Sequence, residues 1–330
     1  MSDLSNRNPE FHEIIRIIEN ARSRAYSAVN SELINMYWEI GAHICNKVND
    51  GGWGKSIVNE FSDFIQAYYT DLKGFSSQNI WRMKQFYETY CDNPKLSPLV
   101  REITWSNNLL IMAGTKTDEA REFYLTLAIR ERYSKRELER QIDSMLFERM
   151  MLSEVKNKQI IAENASLSSL RDTYVLEFLD IPTDFKERDL RKSIISNLKK
   201  FILEFGRDFT FVAEEFRVQV GNTDFFIDLL FYNRELSCLV AIELKVGKFR
   251  PEHLGQLNFY LEALDRDVKK EHENPSVGLV LCAGKDDAVV EYALSRSLSP
   301  ALVSEYTLYL PDKEVLQEKL RELTEIAQCN

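Results

Sequence analysis

Residues 225–245 read FFIDLLFYNRELSCLVAIELK. Two apolar runs, Phe225–Tyr232 and Ser237–Lys245, flank a short polar turn at Asn233–Leu236, the pattern of an antiparallel strand pair. Each run carries an acid where a central strand has no room for one: Asp228 in the first, Glu243 in the second. An unpaired charge at such a position costs on the order of several kcal/mol, so it must find a partner or a metal. Side chains alternate along a strand, which puts Glu243 and Lys245 on one face. With the turn pairing the strands, two carboxylates and one ammonium converge.

Working outward, the Leu190, Ile194, Leu198, Phe201 and Phe205 spacing predicts a helix over Lys186–Phe205. Strands follow at Phe209–Ala213 and Phe216–Val220, and Gly221-Asn222 marks a turn. Downstream, a helix after Pro251 runs to about Leu264. Then come a strand at Val277–Cys282, a helix at Asp287–Leu294, a strand at Leu302–Leu308 and a closing helix at Lys313–Ile326. This order predicts an α/β (α+β) domain with a mixed central sheet.

The first half has a different period. Ile14, Ile18, Ala21, Ala25, Val29, Leu33, Tyr37 and Ile40 trace one stripe of a long helix, ended by Asp50-Gly51-Gly52. Further helices are expected near 56–70, from Ser76, and over 105–112, 119–132 and 135–151. The last opens on a Ser134-x-x-Glu137 capping box. Residues 153–172 are polar and aperiodic. The expected organisation is therefore an all-helical N-terminal domain over 1–152 and an α/β domain over 173–330.

Composition agrees with a folded two-domain chain. Its 330 residues are 44% hydrophobic and 28% charged, which excludes a disordered tail protein. Only 12 Gly and 8 Pro interrupt it, in keeping with long helices. The net charge is -10, unevenly placed: residues 1–160 hold 21 basic and 22 acidic side chains, residues 161–330 hold 21 and 30. An acidic second half argues against a broad, non-specific nucleic-acid surface there. The five cysteines are an odd number with no C-x-x-C spacing, so neither a disulfide framework nor a zinc site is expected. With no signal-like N-terminus and no apolar run near 18 residues, the chain reads as cytoplasmic, without a membrane partner.

The convergent Asp228, Glu243 and Lys245 have the chemistry that Mg²⁺-dependent phosphodiester hydrolysis requires. Hard carboxylate oxygens hold the cation (Mg²⁺ or Mn²⁺), with the carbonyl of Leu244 as a further donor. The cation polarises the phosphate and acidifies its water. The lysine orients that water or stabilises the charge on phosphorus. The competing reading is a buried Asp/Glu–Lys ion-pair network without catalysis.

The spacing Asp228…Glu243-Leu244-Lys245 resembles the catalytic motif of the PD-(D/E)XK nuclease superfamily, whose restriction-endonuclease-like core has the same element order. Over nearly the whole chain the sequence is similar to YhcG-type proteins. The stretches that carry the likeness are FILEFGRDFTFV (201–212), 225–265 and VGLVLCAGKDDAVVEYAL (277–294). In the first half they are YWEIG (37–41), GWG (52–54), GFSSQNIWRMKQFY (74–87) and TWSNN (104–108). The resemblance implies a metal-dependent endonuclease acting on DNA. Asp228 and Glu243 would be metal ligands and Lys245 the catalytic lysine. Glu204 would be the helix carboxylate, a third metal ligand. Gln256 and Tyr260 match a Q-x-x-x-Y helix motif near the site. One departure is Ile227, where the superfamily motif has Pro.

Other signals are weaker. Gly51-Gly52-Trp53-Gly54-Lys55-Ser56 lacks the first glycine of a phosphate-binding loop and follows a helix, so it reads as a turn. The helix from Ser76 shows Gln78, Arg82 and Gln85 on one polar face, a pattern suited to base or phosphate contacts. The segment 130–140 is a modest basic patch. The long helices of the first half suit a homodimer. An alternative to catalysis is a nucleic-acid-binding or assembly protein that keeps the nuclease fold, and a third is an ion-pair-stabilised interaction domain.

Overall fold

A computed structural model of the chain describes residues 8–153, 170–182, 184–295 and 300–328. They fall into two compact units, Met1–Ile142 and Asp143–Asn330. The division precedes the expected domain end at residue 152. The reason is local: Arg149 donates to the carbonyl of Thr173 at 2.9 Å and to Glu204 at 3.1 Å, which ties residues 146–153 to the second unit.

The first unit is helical: α1 (Asn8–Asn49), α2 (Lys55–Tyr68), α3 (Ser77–Tyr90), α4 (Leu96–Leu99), α5 (Trp105–Gly114), α6 (Asp118–Glu131) and α7 (Lys135–Asp143). Of the expected stripe of α1 only Tyr37 is buried, and Ile14, Ile18, Val29 and Leu33 are exposed; Ile34 and Ile44, outside the stripe, are buried instead. Gly41 lets α1 and α3 touch backbone to backbone, because a Cβ there would overlap the carbonyl of Met83. The TWSNN stretch is a set of braces. Thr104 caps α5, and the Trp105 indole donates to Asn79 at 3.0 Å. Buried Asn107 and Asn108 donate to the carbonyls of Tyr133 (3.0 Å) and Val100 (2.8 Å). Buried loop carbonyls without such partners would each be destabilising.

The second unit begins with the helical residues 146–153, here α8. It continues through β1 (Thr173–Val175), α9 (Glu187–Ser196), α10 (Leu198–Phe205), β2 (Phe209–Val220), β3 (Thr223–Asn233) and β4 (Cys238–Lys248). It closes with α11 (Glu252–Asp267), β5 (Val277–Gly284), α12 (Asp287–Leu294), β6 (Ala301–Thr307) and α13 (Lys313–Gln328). The six strands form one sheet in the order β1-β6-β5-β4-β3-β2. The β2–β3–β4 neighbours are antiparallel, and β4–β5–β6–β1 are parallel. The expected mixed α/β sheet is present, with β1 added at its edge.

Helices α9 and α10 cover one face through Leu190, Ile194, Phe201 and Phe205, packed on Val240, Ile242 and Leu244. On the other face, Leu254, Leu257, Tyr260 and Leu261 of α11 pack on Ala241, Val280 and Cys282. Burial on both sides explains why β4 and β5 read as nearly unbroken apolar runs. The single helix expected over 186–205 is broken at Asn197, whose ψ of 26° leaves the helical range. Among the described residues no helix is long and apolar enough to cross a membrane.

Candidate active site

The site lies where the β3–β4 ladder stops. The last paired residues are Leu229 and Ile242. Beyond them, β3 continues only alongside β2, and β4 only alongside β5. Asp228 and Glu243 are the next residues on the two diverging strands. The separation frees the Leu244 N–H from the β3 backbone, and it donates instead to Asp228 Oδ2 at 3.0 Å. A charged acceptor on a backbone N–H makes a stronger bond than the ladder bond it replaces.

Glu243 is 3% exposed. Its Oε1 accepts from Lys245 Nζ at 2.8 Å, while Oε2 is buried without a hydrogen-bond partner. Burial, and next the charge of Asp228, push its carboxyl up to about 7. Burial pulls Lys245 down, but the hydrogen bond and charge of Glu243, with Glu187 and Asp228 behind it, outweigh that and leave the ammonium raised. Lys245 is therefore a cation at neutral pH.

Helix α11 brings Gln256 and Tyr260 alongside. Gln256 Nε2 donates to the Tyr260 hydroxyl at 2.7 Å. Burial, with the negative charges of Glu243 and Asp228 adding to it, raises that hydroxyl's pKa. His253, on the same helix, accepts the Arg250 N–H and is held down by burial and the charge of Lys245.

Glu204 is not among these groups. Expected at the sheet rim as a metal ligand, it is fully buried. Its Oε1 accepts from the Val175 N–H at 2.9 Å and from Arg149 at 3.1 Å, with Arg171 at 3.7 Å. Those donors lock it between α10 and β1. The break at Asn197 divides the expected helix: α9 carries Glu187 and Arg191, while α10 carries Glu204 to β1. Asp224 pairs with exposed Arg217 at 3.1 Å.

Two residues unremarked in the sequence occupy the place vacated by Glu204. Glu187, in the first turn of α9, lies 3.6 Å from Lys245, and Arg191, one turn later, donates to Asp228 Oδ1 at 2.7 Å. The usable signal was their i, i+4 spacing on the polar side of the helix that precedes the strands. Gln78, Arg82 and Gln85 are exposed along one face of α3 in the helical unit.

Among the described residues no three His, Cys, Asp or Glu side chains are grouped closely enough to form a metal cluster by themselves. Mg²⁺ does not demand one, since one or two carboxylates with waters and substrate oxygens are its usual ligands. The orphaned Glu243 Oε2 beside a second carboxylate fits such a cation.

Comparison with known proteins covers both units. Residues 167–321 match the family profile described as the YhcG PDDEXK nuclease domain, and residues 13–149 match the DUF1016 N-terminal domain. The chain is similar to a protein of Escherichia coli (strain K12) named "Putative nuclease YhcG". The two are 32% identical over 93% of this chain and 92% of that one. Two solved structures align with part of it. A repair endonuclease from Pyrococcus abyssi covers 39% of this chain and 50% of its own, at 14% identity and a TM-score of 0.27. EndoMS in apo form covers 40% and 49%, at 19% identity and a TM-score of 0.26. Likeness that slight says nothing about the activity of this chain.

Proposed function

The chain belongs to the YhcG-type family of PD-(D/E)XK nucleases, and we propose that it is a DNA endonuclease whose reaction uses a divalent cation held by Asp228 and Glu243. The observation that carries this reading is the buried, unpartnered Glu243 Oε2 facing the charge of Asp228. Its other oxygen is taken by the Lys245 ammonium, which leaves Oε2 as the donor open to a second cation. Mg²⁺ or Mn²⁺ bound there would polarise the scissile phosphate and lower the pKa of its own water.

The remaining roles follow from the protein's groups. Lys245, held charged, is a poor base. It acts by orienting the attacking water and by stabilising negative charge as it develops on the phosphate. Glu243 fixes its position through the 2.8 Å contact. The Gln256–Tyr260 pair supplies a tyrosine hydroxyl whose raised pKa keeps it protonated, a donor for a phosphate oxygen or a water. The acidic balance of residues 161–330 leaves the capture of DNA to the near-neutral helical half, where Gln78, Arg82 and Gln85 line the exposed face of α3.

The test is cleavage of plasmid, linear duplex and single-stranded DNA, and of RNA, in Mg²⁺ or Mn²⁺, with chelator as control. Wild type is expected to cut DNA. Asp228→Asn, Glu243→Gln and Lys245→Met are each expected to lose about 10²–10³-fold. Equal cutting by wild type and all three variants would overturn the site. Tight binding without cutting in any metal would instead favour a nucleic-acid-binding protein on a nuclease fold.

A further inference from the structure

Arg191 is shared between two carboxylates. Nη1 donates to Asp228 Oδ1 at 2.7 Å and Nη2 to Glu215 Oε1 at 2.7 Å. The side chain is 13% exposed, and its third donor, the Nε–H, is buried with no hydrogen-bond partner.

Glu215 lies at an irregularity in the β2 backbone. In the β2–β3 register, Glu214 faces Leu229 and Phe216 faces Ile227, so Glu215 stands opposite Asp228, and neither is paired there. Its φ is 45°, a left-handed conformation that a residue with a Cβ adopts at an energetic cost. A left-handed residue inside a strand turns its side chain away from the alternation that extended backbone imposes. Here the turned side chain ends on Arg191. A strained acid that grips it and a buried donor with nothing to bond are both more than Arg191 needs as a packing residue.

The Asp228 contact is also where a metal ligand would be used. Asp228 Oδ1 cannot serve a guanidinium and a divalent cation at full strength together, and two cations that close repel. Glu215, 60% exposed and outside the β3–β4 fork, makes no such conflict.

We propose that Arg191 positions the substrate phosphate, and that before a divalent cation arrives it stands in that cation's place on Asp228, with Glu215 as the anchor that keeps it at the site once Asp228 is taken. The proposal rests on the nuclease reading of the site. The guanidinium then has Nη1 to offer to one non-bridging phosphate oxygen and, on its other edge, the unused Nε–H to a second, both charge-assisted donors. Empty, the site is neutralised from within. Loaded, it presents a donor that stays hidden until the cation is bound.

Two binding measurements on the full chain test this without turnover. Mn²⁺ is titrated calorimetrically, and a fluorescent duplex is titrated in Ca²⁺. Arg191→Gln is expected to bind Mn²⁺ at least about tenfold tighter than wild type, because a competing cation is gone. The same variant should bind duplex about tenfold weaker, through loss of a charge-assisted hydrogen bond. Glu215→Gln, which leaves Arg191 to Asp228 alone, should bind Mn²⁺ more weakly. If Gln at 191 compromises folding, Arg191→Lys keeps the charge without the fork and should lose duplex affinity. Unchanged or weaker Mn²⁺ binding by Arg191→Gln overturns the stand-in role while leaving the metal site in place. Unchanged duplex binding overturns the phosphate role. If wild type and Arg191→Gln both give the blank trace of Asp228→Asn, the metal reading itself falls and takes the proposal with it.

Discussion

Asp228 accepts the backbone N–H of Leu244 at 3.0 Å, a bond between two strands at the point where their ladder has already ended. The carboxylate thus closes the fork structurally while its second oxygen faces the site. These two duties separate by substitution. Asp228→Ala leaves the Leu244 N–H without an acceptor and Arg191 with Glu215 alone, and is expected to destabilise the second unit by about 1–3 kcal/mol. Asp228→Asn retains an acceptor for the N–H and should melt close to wild type while losing cleavage. Thermal melts beside activity assays make the comparison. Equal melting of the two variants would mean that the Leu244 bond carries no stability.

The raised Glu243 gives a dependence on pH with a definite sign. Its carboxyl stands at about 7 in the fold against an ordinary 4.5. Between those values the native chain holds a proton that the unfolded chain has lost. The stability it contributes is fully present below 4.5 and disappears as pH rises through about 7. Glu243→Gln cannot ionise. Without metal it should be more stable than wild type above pH 7, by on the order of 3 kcal/mol, with the gap closing toward pH 5. Saturating Mn²⁺ should reverse the order, since only the wild-type carboxylate gains from the cation. Melting curves from pH 5 to 8, with and without Mn²⁺, read the result; a gap that ignores pH would show Glu243 charged throughout.

Much of this was open to reading in the sequence, and the division has physical causes. Alternation, turn residues and apolar runs fix β3 and β4, so Asp228, Glu243 and Lys245 could be placed together before any coordinates. The spacing of Gln256 and Tyr260 put them on one face of a helix. Hidden were features set by breaks in regular structure: the ψ of 26° at Asn197 that splits α9 from α10, and the left-handed φ of 45° at Glu215. Neither Asn nor Glu announces such a break as Gly or Pro would. Glu204 was expected at the site from the family resemblance alone, and without these breaks in view Glu187, Arg191 and Glu215 were not.

Gly41 was legible only as part of the YWEIG stretch, with nothing to say what the glycine does. Its place against the Met83 carbonyl predicts that Gly41→Ala forces α1 and α3 apart, since backbone cannot yield as a side-chain tip would. Overpacking of this kind costs about 1–3 kcal/mol. Gly52→Ala, where the nearest atom to an added Cβ is 3.6 Å away, is the control and should melt like wild type. Equal melting of both variants would refute the close crossing.

Glu187 and Glu204 offer the sharpest contrast, because both are helix glutamates ahead of the strands and only one approaches Lys245. Glu204 sits in a buried network with Arg149, Arg171 and the Val175 N–H. Removing one partner from such a network leaves buried charge uncompensated, at a cost of about 3–5 kcal/mol. Glu204→Ala should therefore melt far below wild type, with its Mn²⁺ affinity unchanged wherever it is still folded. Glu187 is 43% exposed and bonds nothing that the fold depends on, so Glu187→Gln should melt like wild type. Its negative charge helps to hold Lys245 protonated and pushes Glu243 up. Without it Lys245 should titrate lower, and the alkaline limb of the cleavage profile should move to lower pH. If Glu204→Gln instead kept full stability and lost Mn²⁺ binding, the two glutamates would have to exchange roles.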